Sequence, residues 1–318
     1  VINSAFNVEG VYSFKSENNI DLKIENKKGD IQDLLSLLPK EYSENFKNYK
    51  SEGGVFFNAT LKGVISDTEN AAINIKFGCK KASFYHPNLK KKITDADFYG
   101  TFTNGKQKST AGSELKLENI QFIFDNKLIQ GDFLYQNFEN PYISFEAIGS
   151  LQANSLLDFY KVPSIKSAAG LIDFDFLFKG LLNDLKTKEG HSRITTEGEV
   201  YLKNISIVPE ESPITISNCT GTFLFNKNDI AISEFSTSIG KSDFRLSGIL
   251  KNLIGAMLLE QGRMLADIEL KGQNWNIEEL LSFQSTAADA ETGQTKLQKG
   301  KFPYLEKYLF RLQLDVAN

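Results

Sequence analysis

Residue types that carry chemistry are scarce in this sequence. Its 318 residues include two cysteines, two histidines, two methionines and one tryptophan. Two cysteines, Cys79 and Cys219, are too few for a disulfide framework or a four-ligand zinc site. A single disulfide between them is left open. Disulfide-rich and zinc-ribbon proteins are therefore excluded, and the cysteines alone do not indicate a compartment.

Motifs for catalysis or cofactor binding are also missing. His86 lies in a Tyr-His-Pro turn and His191 in a Glu-Gly-His-Ser loop, and neither has a cysteine or second histidine nearby. The glycines match no dinucleotide or P-loop pattern. Asp173 and Asp175 lie on the polar side of an alternating segment, which favours solvated carboxylates over an acid/base pair. We expect no catalytic residue, no metal and no cofactor, and an enzyme is the least favoured class.

Long hydrophobic runs and strong net charge are absent. No segment approaches the ~18 apolar residues of a transmembrane helix, and residues 1–6 lack the features of a signal peptide. Because the chain does not start with Met, we expect a piece of a longer protein whose targeting segments lie elsewhere. The net charge is −4, and the longest basic block is Lys90-Lys91-Lys92. This balance argues against nucleic acid as a partner.

The sequence is rich in aromatic residues and in alternating segments. It contains 25 Phe and 11 Tyr, which favour strands. Apolar and polar residues alternate in several segments, which predicts half-buried antiparallel strands. Short helices are predicted at 31–38, 40–49, 154–160 and 277–283, and a flexible loop at 284–300. Examples of this alternation are Ile20–Ile24 and Ile143–Ala147, and the clearest strands are Ile172–Phe178 and Tyr308–Val316.

One unit, an alternating strand followed by a Leu-Leu helix, occurs three times. The pairs Leu34-Leu35, Leu156-Leu157 and Leu280-Leu281 are 122 and 124 residues apart, which predicts a stacked repeat protein. We predict the end of one repeat at 1–28, two full repeats at 29–148 and 149–272, and the start of another at 273–318.

The many Phe, Ile and Leu residues on one side of consecutive strands have two interpretations. A second sheet would cover that side in a sandwich, whereas an open curved sheet would present it as a ligand groove. Alternation alone favours the sandwich. The repeat favours the open sheet, because a sandwich seldom repeats a strand-plus-cap unit every ~120 residues.

Three motifs give the chain a resemblance to a known family. They are Gly-Asp-Ile-Gln-Asp-Leu-Leu-Ser-Leu-Leu-Pro at 29–39, Ser-Pro-Ile-Thr-Ile-Ser-Asn-Cys-Thr-Gly-Thr-Phe at 212–223, and Ile-Gly-Lys-Ser-Asp-Phe-Arg-Leu-Ser-Gly at 239–248. Two predicted strands also end in Lys-Gly, at Lys62-Gly63 and Lys179-Gly180. Together with these strand ends, the motifs resemble the AsmA-like proteins of the Gram-negative envelope. The abundance of Asn and Lys resembles sequences of the Bacteroidetes type.

The resemblance implies a fold, a location and a function. The fold is mostly β, an elongated, curved antiparallel sheet of repeated β-groove units with short capping helices. The location is the periplasm, with an inner-membrane anchor outside this chain. The function is phospholipid transport between membranes and outer-membrane assembly, with phospholipid, membranes and envelope proteins as partners. An envelope scaffold with a closed apolar core is the alternative.

Acyl chains would lie on the apolar side, where the burial of each CH₂ contributes ~0.8 kcal/mol to the free energy of binding. The predicted lipid-binding residues alternate along three strands. They are Phe57, Leu61, Ile172, Phe174, Phe176, Phe178, Phe310 and Leu312.

Overall fold

Alternating segments form most of the structure. The computed structural model describes residues 6–14, 18–29, 50–85, 91–159, 164–187, 189–210, 212, 214–251, 264–279 and 308–316. These residues form a sheet of 15 strands, hydrogen-bonded in the order in which they occur along the chain. Strands β1 to β14 are antiparallel, and β15 runs parallel to β14. The predicted fold class, mostly β with an antiparallel sheet and short helices, is confirmed.

The chain divides into two compact units. The first unit contains residues 1–149 and 179–182, and the second contains 150–178 and 183–318. The first eight strands are β1 (Asn7–Phe14), β2 (Asn18–Gly29), β3 (Lys50–Ile65), β4 (Ala72–Tyr85), β5 (Ile93–Thr103), β6 (Glu114–Phe124), β7 (Lys127–Gln136) and β8 (Tyr142–Gln152). The others are β9 (Ile165–Leu181), β10 (Thr195–Pro209), β11 (Ile216–Asn226), β12 (Asp229–Ile239), β13 (Ser242–Lys251), β14 (Met264–Gly272) and β15 (Tyr308–Val316).

Helices are short. Helix α1 (Ala153–Phe159) matches the predicted helix at 154–160 within one residue, and two 3₁₀ helices follow β9 at Leu182–Lys186 and Gly190–Arg193. Residues 277–279 are helical. The rest of the predicted 277–283 helix, the helices at 31–38 and 40–49, and the loop at 284–300 lie outside the described residues.

The two units share a series of β-bulges. Lys81 in β4 and Asp95 in β5 have positive φ, and so do Asn204 in β10 and Asn218 in β11, each 123 positions later. The third pair, Asn119 and Glu234, is 115 positions apart. This separation is eight residues shorter than the other two, because ten residues join β5 to β6 whereas two join β11 to β12.

Each bulge adds one residue and so changes the phase of alternation. In β10 the even-numbered Val200 and Leu202 share a face with the odd-numbered Ile205 and Ile207, because Asn204 is inserted between them. Without the bulge, Ile205 and Ile207 would point to the polar side. The bulges therefore keep apolar side chains on one face along the whole strand.

A cross-strand acceptor holds the first bulge in each unit. The N–H of Lys81 donates to Asp97 Oδ1 at 2.8 Å. The N–H of Asn204 donates to Thr220 Oγ1 at 3.0 Å. Gln121 adds a second hydrogen bond to Asp97, from Nε2 to Oδ2 at 2.9 Å.

We expect Asp97→Ala to lower the free energy of unfolding by about 1–2 kcal/mol at pH 7, because the donors of Lys81 and Gln121 lose their acceptor. These hydrogen bonds, that from Gln121 foremost, hold the pKa of Asp97 below its ordinary value. The charge-dependent part is therefore present above about pH 4 and is lost as the pH falls through the lowered pKa. Urea unfolding at neutral and strongly acidic pH measures both effects. If the difference in free energy of unfolding between wild type and Asp97→Ala does not decrease at acidic pH, the role given to the Asp97 carboxylate is wrong.

Candidate functional site

The first unit has one apolar face, formed by residues that the register places side by side from β2 to β8. Phe57 pairs with Phe77, Leu61 pairs with Ile73 and with Leu22, and Phe133 pairs with Phe145. From β3 to β8 this face carries apolar side chains, glycines, Cys79 and the ring of Tyr135 between the strand ends. Its larger members include Leu22, Ile24, Phe57, Leu61, Ile73, Ile75, Phe77, Phe98, Phe102, Leu115, Leu117, Ile120, Phe122, Phe133, Ile143 and Phe145.

The opposite face of this unit is mostly polar. Lys62 and Asp21 form an ion pair there at 2.9 Å, and Lys116 and Glu118 form another at 2.6 Å. The first pair is solvent-exposed and contributes little stability, and the second is half-buried. The two faces therefore differ in polarity, as the alternation of apolar and polar residues predicts.

The second unit repeats the arrangement. Phe223 pairs with Val200 and with Ile232, and Leu246 pairs with Leu270. The β9 residues join this face, because the ring of Phe176 lies 5.2 Å from that of Phe225. Members of this face are Ile172, Phe174, Phe176, Phe178, Val200, Leu202, Phe223, Phe225, Ile230, Ile232, Leu246, Leu250, Ala266, Ile268 and Leu270.

Burial on these faces is uneven. In the first unit, the aromatic residues Phe57, Phe77, Phe98 and Phe133 are only half-buried, while Val55 and several alanines are buried. In the second unit, Ile230, Ile232 and Phe244 are buried, whereas the β9 and β11 phenylalanines of the face are half-buried. No second sheet lies among the described residues. Large apolar surface therefore stays partly open to solvent in each unit.

The sealed part of each face lies next to the bulges. In the first unit, the Cys79 cluster consists of Val55, Cys79, Ala82 and Ala96, with Phe84, Ile93, Phe98 and Phe122 against it. In the second unit, the Cys219 cluster consists of Ala153, Ile205 and Cys219. Ala153 belongs to α1, so this helix covers the bulged end of the strands as a cap. Each unit thus has a small core at one strand end. Beyond it most larger side chains of the first unit stay half-buried, whereas in the second unit half-buried phenylalanines lie beside the buried Ile230 and Ile232.

Six of the eight predicted lipid-binding residues fall on these faces, and the side chains of the other two, Phe310 and Leu312, are not described. Phe57 and Leu61 lie on the open strip of the first unit. Ile172 packs against the Cys219 cluster, and Phe174, Phe176 and Phe178 continue along β9, half-buried. Phe310 and Leu312 lie opposite Ala266 and Ile268 in the register of β15 with β14.

Sequence reasoning missed most of the strip. Phe77, Phe98, Leu117 and Phe133 were not singled out, although each follows the same alternation. In β5 and β6 the sequence signal is a change of phase at Asp95 and Asn119, residue types that favour the positive φ of a bulge, whereas the bulge residue in β4 is Lys81.

Both thiols are free and buried. The Sγ of Cys79 donates to the Ala96 carbonyl at 3.2 Å, and burial, with Asp97 adding to the effect, raises the pKa of this thiol to about 12. We expect neither cysteine to react with a thiol reagent in the native protein at about pH 8, because reaction needs an accessible thiolate. Both should react after unfolding. Rapid native reaction at Cys79, isolated in a Cys219→Ala variant, would contradict this.

In the part of the chain that the structure describes, neither the groups of side chains that bind a metal ion nor apolar helices of membrane-spanning length occur. The described residues contain no group of three or more His, Cys, Asp or Glu that could hold a metal ion. His86 lies outside them, and the side chain of His191 is not described. Within the same part of the chain, no helix is long and apolar enough to cross a membrane.

Comparisons with known proteins identify no relative. No family model, no curated protein and no solved structure matches this chain.

Proposed function

We propose that this chain binds acyl chains of phospholipid on its two apolar faces and serves phospholipid transport between the membranes of a Gram-negative envelope. The observation that carries the proposal is the half-buried aromatic strip in each unit. Binding of this kind is non-covalent, so the proposal assigns the chain no enzymatic activity, cofactor or metal.

The composition of the strips favours hydrocarbon as the occupant. In β3 to β8, the Tyr135 hydroxyl and the Cys79 thiol are the polar side-chain groups on this face between the strand ends. An occupant buried there finds almost no hydrogen-bond partner, and burying an unpaired polar group costs free energy. A peptide brings backbone polar groups, whereas an acyl chain brings none. An acyl chain therefore fits this surface better.

Location and partners follow from the resemblance to AsmA-like proteins. On that basis we propose a periplasmic segment, anchored to the inner membrane by a part outside this chain. It supports outer-membrane assembly, and membranes and envelope proteins are its partners. The competing proposal is an envelope scaffold whose apolar faces are covered by other protein.

Lipid analysis tests the proposal directly. The purified chain is incubated with phospholipid vesicles, re-isolated by gel filtration and extracted for mass spectrometry. We expect stoichiometric phospholipid on the chain and faster transfer of a fluorescent phospholipid between vesicles. Heat-unfolded chain is the control for non-specific uptake. Absence of lipid from the folded chain would overturn the proposal and favour the scaffold.

A further inference from the structure

A phenylalanine in a turn lies against the apolar strip of the first unit. Phe138 belongs to the connection between β7 and β8. Its ring is 4.8 Å from that of Tyr135 in an edge-to-face arrangement and 6.0 Å from that of Phe102. Both partners lie on the apolar face at the strand ends remote from the bulges. Phe138 therefore folds back over the end of the strip.

Hydrogen bonds fix the turn that carries this ring. The N–H of Asn137 donates to the Ser113 carbonyl at 2.8 Å, and the N–H of Phe138 donates to the Thr110 carbonyl at 3.0 Å. The side chain of Asn137 accepts from the N–H of Asn140 at 3.1 Å. The turn is thus held to the ten-residue connection between β5 and β6.

That connection is itself attached to the sheet. Asn104 is buried; its Oδ1 accepts from the N–H of Ile73 at 2.8 Å, and its Nδ2 donates to the Ala71 carbonyl at 2.8 Å. The Ser113 hydroxyl donates to the Ser109 carbonyl at 2.9 Å. The two connections therefore form a fixed cap at this end of the strands, and the Phe138 ring is its apolar edge.

The open strip of the first unit is consequently bounded at both strand ends. The Cys79 cluster closes the bulged end, and Phe138 covers the other. Along β5 the face between these limits runs from Phe98 to Phe102, about 13 Å at ~3.3 Å per residue.

We propose that Phe138 is a positioning residue, which confines bound acyl chains to the strip between its ring and the Cys79 cluster. This inference rests on the proposed function, because it specifies where on the face the lipid lies. Phe77 and Leu117 are the contacts at the centre of the strip. Phe102 and Tyr135 pack against the Phe138 ring, which is itself 36% exposed.

Photolabelling tests the position of the chain. A phospholipid with a diazirine in its acyl chain is supplied in vesicles, and labelled residues are mapped by mass spectrometry. In wild type we expect label at Phe77 and Leu117 and little at Phe102 and Tyr135. In Phe138→Ala we expect a several-fold gain at Phe102 and Tyr135. Phe138→Leu, which keeps apolar bulk, should gain much less.

A matched control lies on the opposite face. Leu128 alternates with the apolar-face residue Ile129 and is 52% exposed, so Leu128→Ala should leave the label map unchanged. Strong labelling of Phe102 and Tyr135 in wild type would overturn the positioning role while leaving lipid binding intact, and this result needs no variant. An unchanged map in folded Phe138→Ala would also overturn it. No label on the apolar face of wild type would overturn the proposed function itself.

Discussion

Phe176→Arg is expected to abolish acyl labelling around β9 to β11 while the second unit stays folded. Phe176 is half-buried and meets Phe225 at 5.2 Å on the apolar face. An Arg stem can lie along this face while its guanidinium reaches water, because no second sheet covers it among the described residues. The charge then stands where an acyl chain would lie, and hydrocarbon cannot solvate it.

The stability of the variant separates the two interpretations of this face. Loss of the aromatic pair and of some buried area predicts a decrease of about 1–3 kcal/mol in the free energy of unfolding. An unpaired Arg in a sealed core costs several kcal/mol more. Urea unfolding followed by circular dichroism measures this difference. Global unfolding of Phe176→Arg would favour a closed core and the scaffold.

A neighbouring residue supplies the control. Asp175 is exposed on the polar face of the same strand, so Asp175→Arg introduces the same side chain one position away on the opposite side. We expect Asp175→Arg to retain both stability and labelling. Photocrosslinking from position 176 to phospholipid in otherwise wild-type protein is the direct readout. Labelling of protein alone from that position would contradict lipid binding.

Much of the fold could be predicted, because alternation acts locally. The Ile172–Phe178 pattern specifies both the strand and the face that its phenylalanines occupy. Leu156, Leu157 and Ala153 have helical spacing, and α1 forms there with Ala153 buried. These elements depend on residues within a few positions of each other.

The candidate site was harder to predict, because it depends on register. Phe77 and Leu117 become neighbours of Gly100 only when β4, β5 and β6 pair as they do. A shift of one residue would move each side chain to the other face. Beyond this stretch the bulges at Asp95 and Asn119 change the phase of alternation, and a single sequence marks them only by that change of phase. The boundaries predicted for the repeats, at 28, 148 and 272, stay predictions.

A glycine lies between the two strands that carry Phe176 and Phe225. On one side, Gly198 in β10 pairs with Phe225 of β11. On the other side, it lies against the backbone of Asp175 and Phe176 in β9. The rings of Phe176 and Phe225, on the strands to either side, meet at 5.2 Å. Gly198 has a φ of +121°, which L side chains rarely adopt.

Gly198→Ala is therefore expected to destabilise the second unit by roughly 3 kcal/mol or more. A Cβ at this position would overlap the carbonyl oxygen of Asp175 and lie 3.0 Å from the Cα of Phe176. Because both are backbone atoms, relief requires displacement of β9. Gly54→Ala is the matched control: it is also a strand glycine, but no atom lies within 4 Å of its added Cβ, and its effect should stay within about 1 kcal/mol. Urea unfolding of both variants measures the difference. Equal stabilities would show that the close approach of β9 and β10 at Gly198 is not required, and would remove the structural basis for the Phe176 and Phe225 contact.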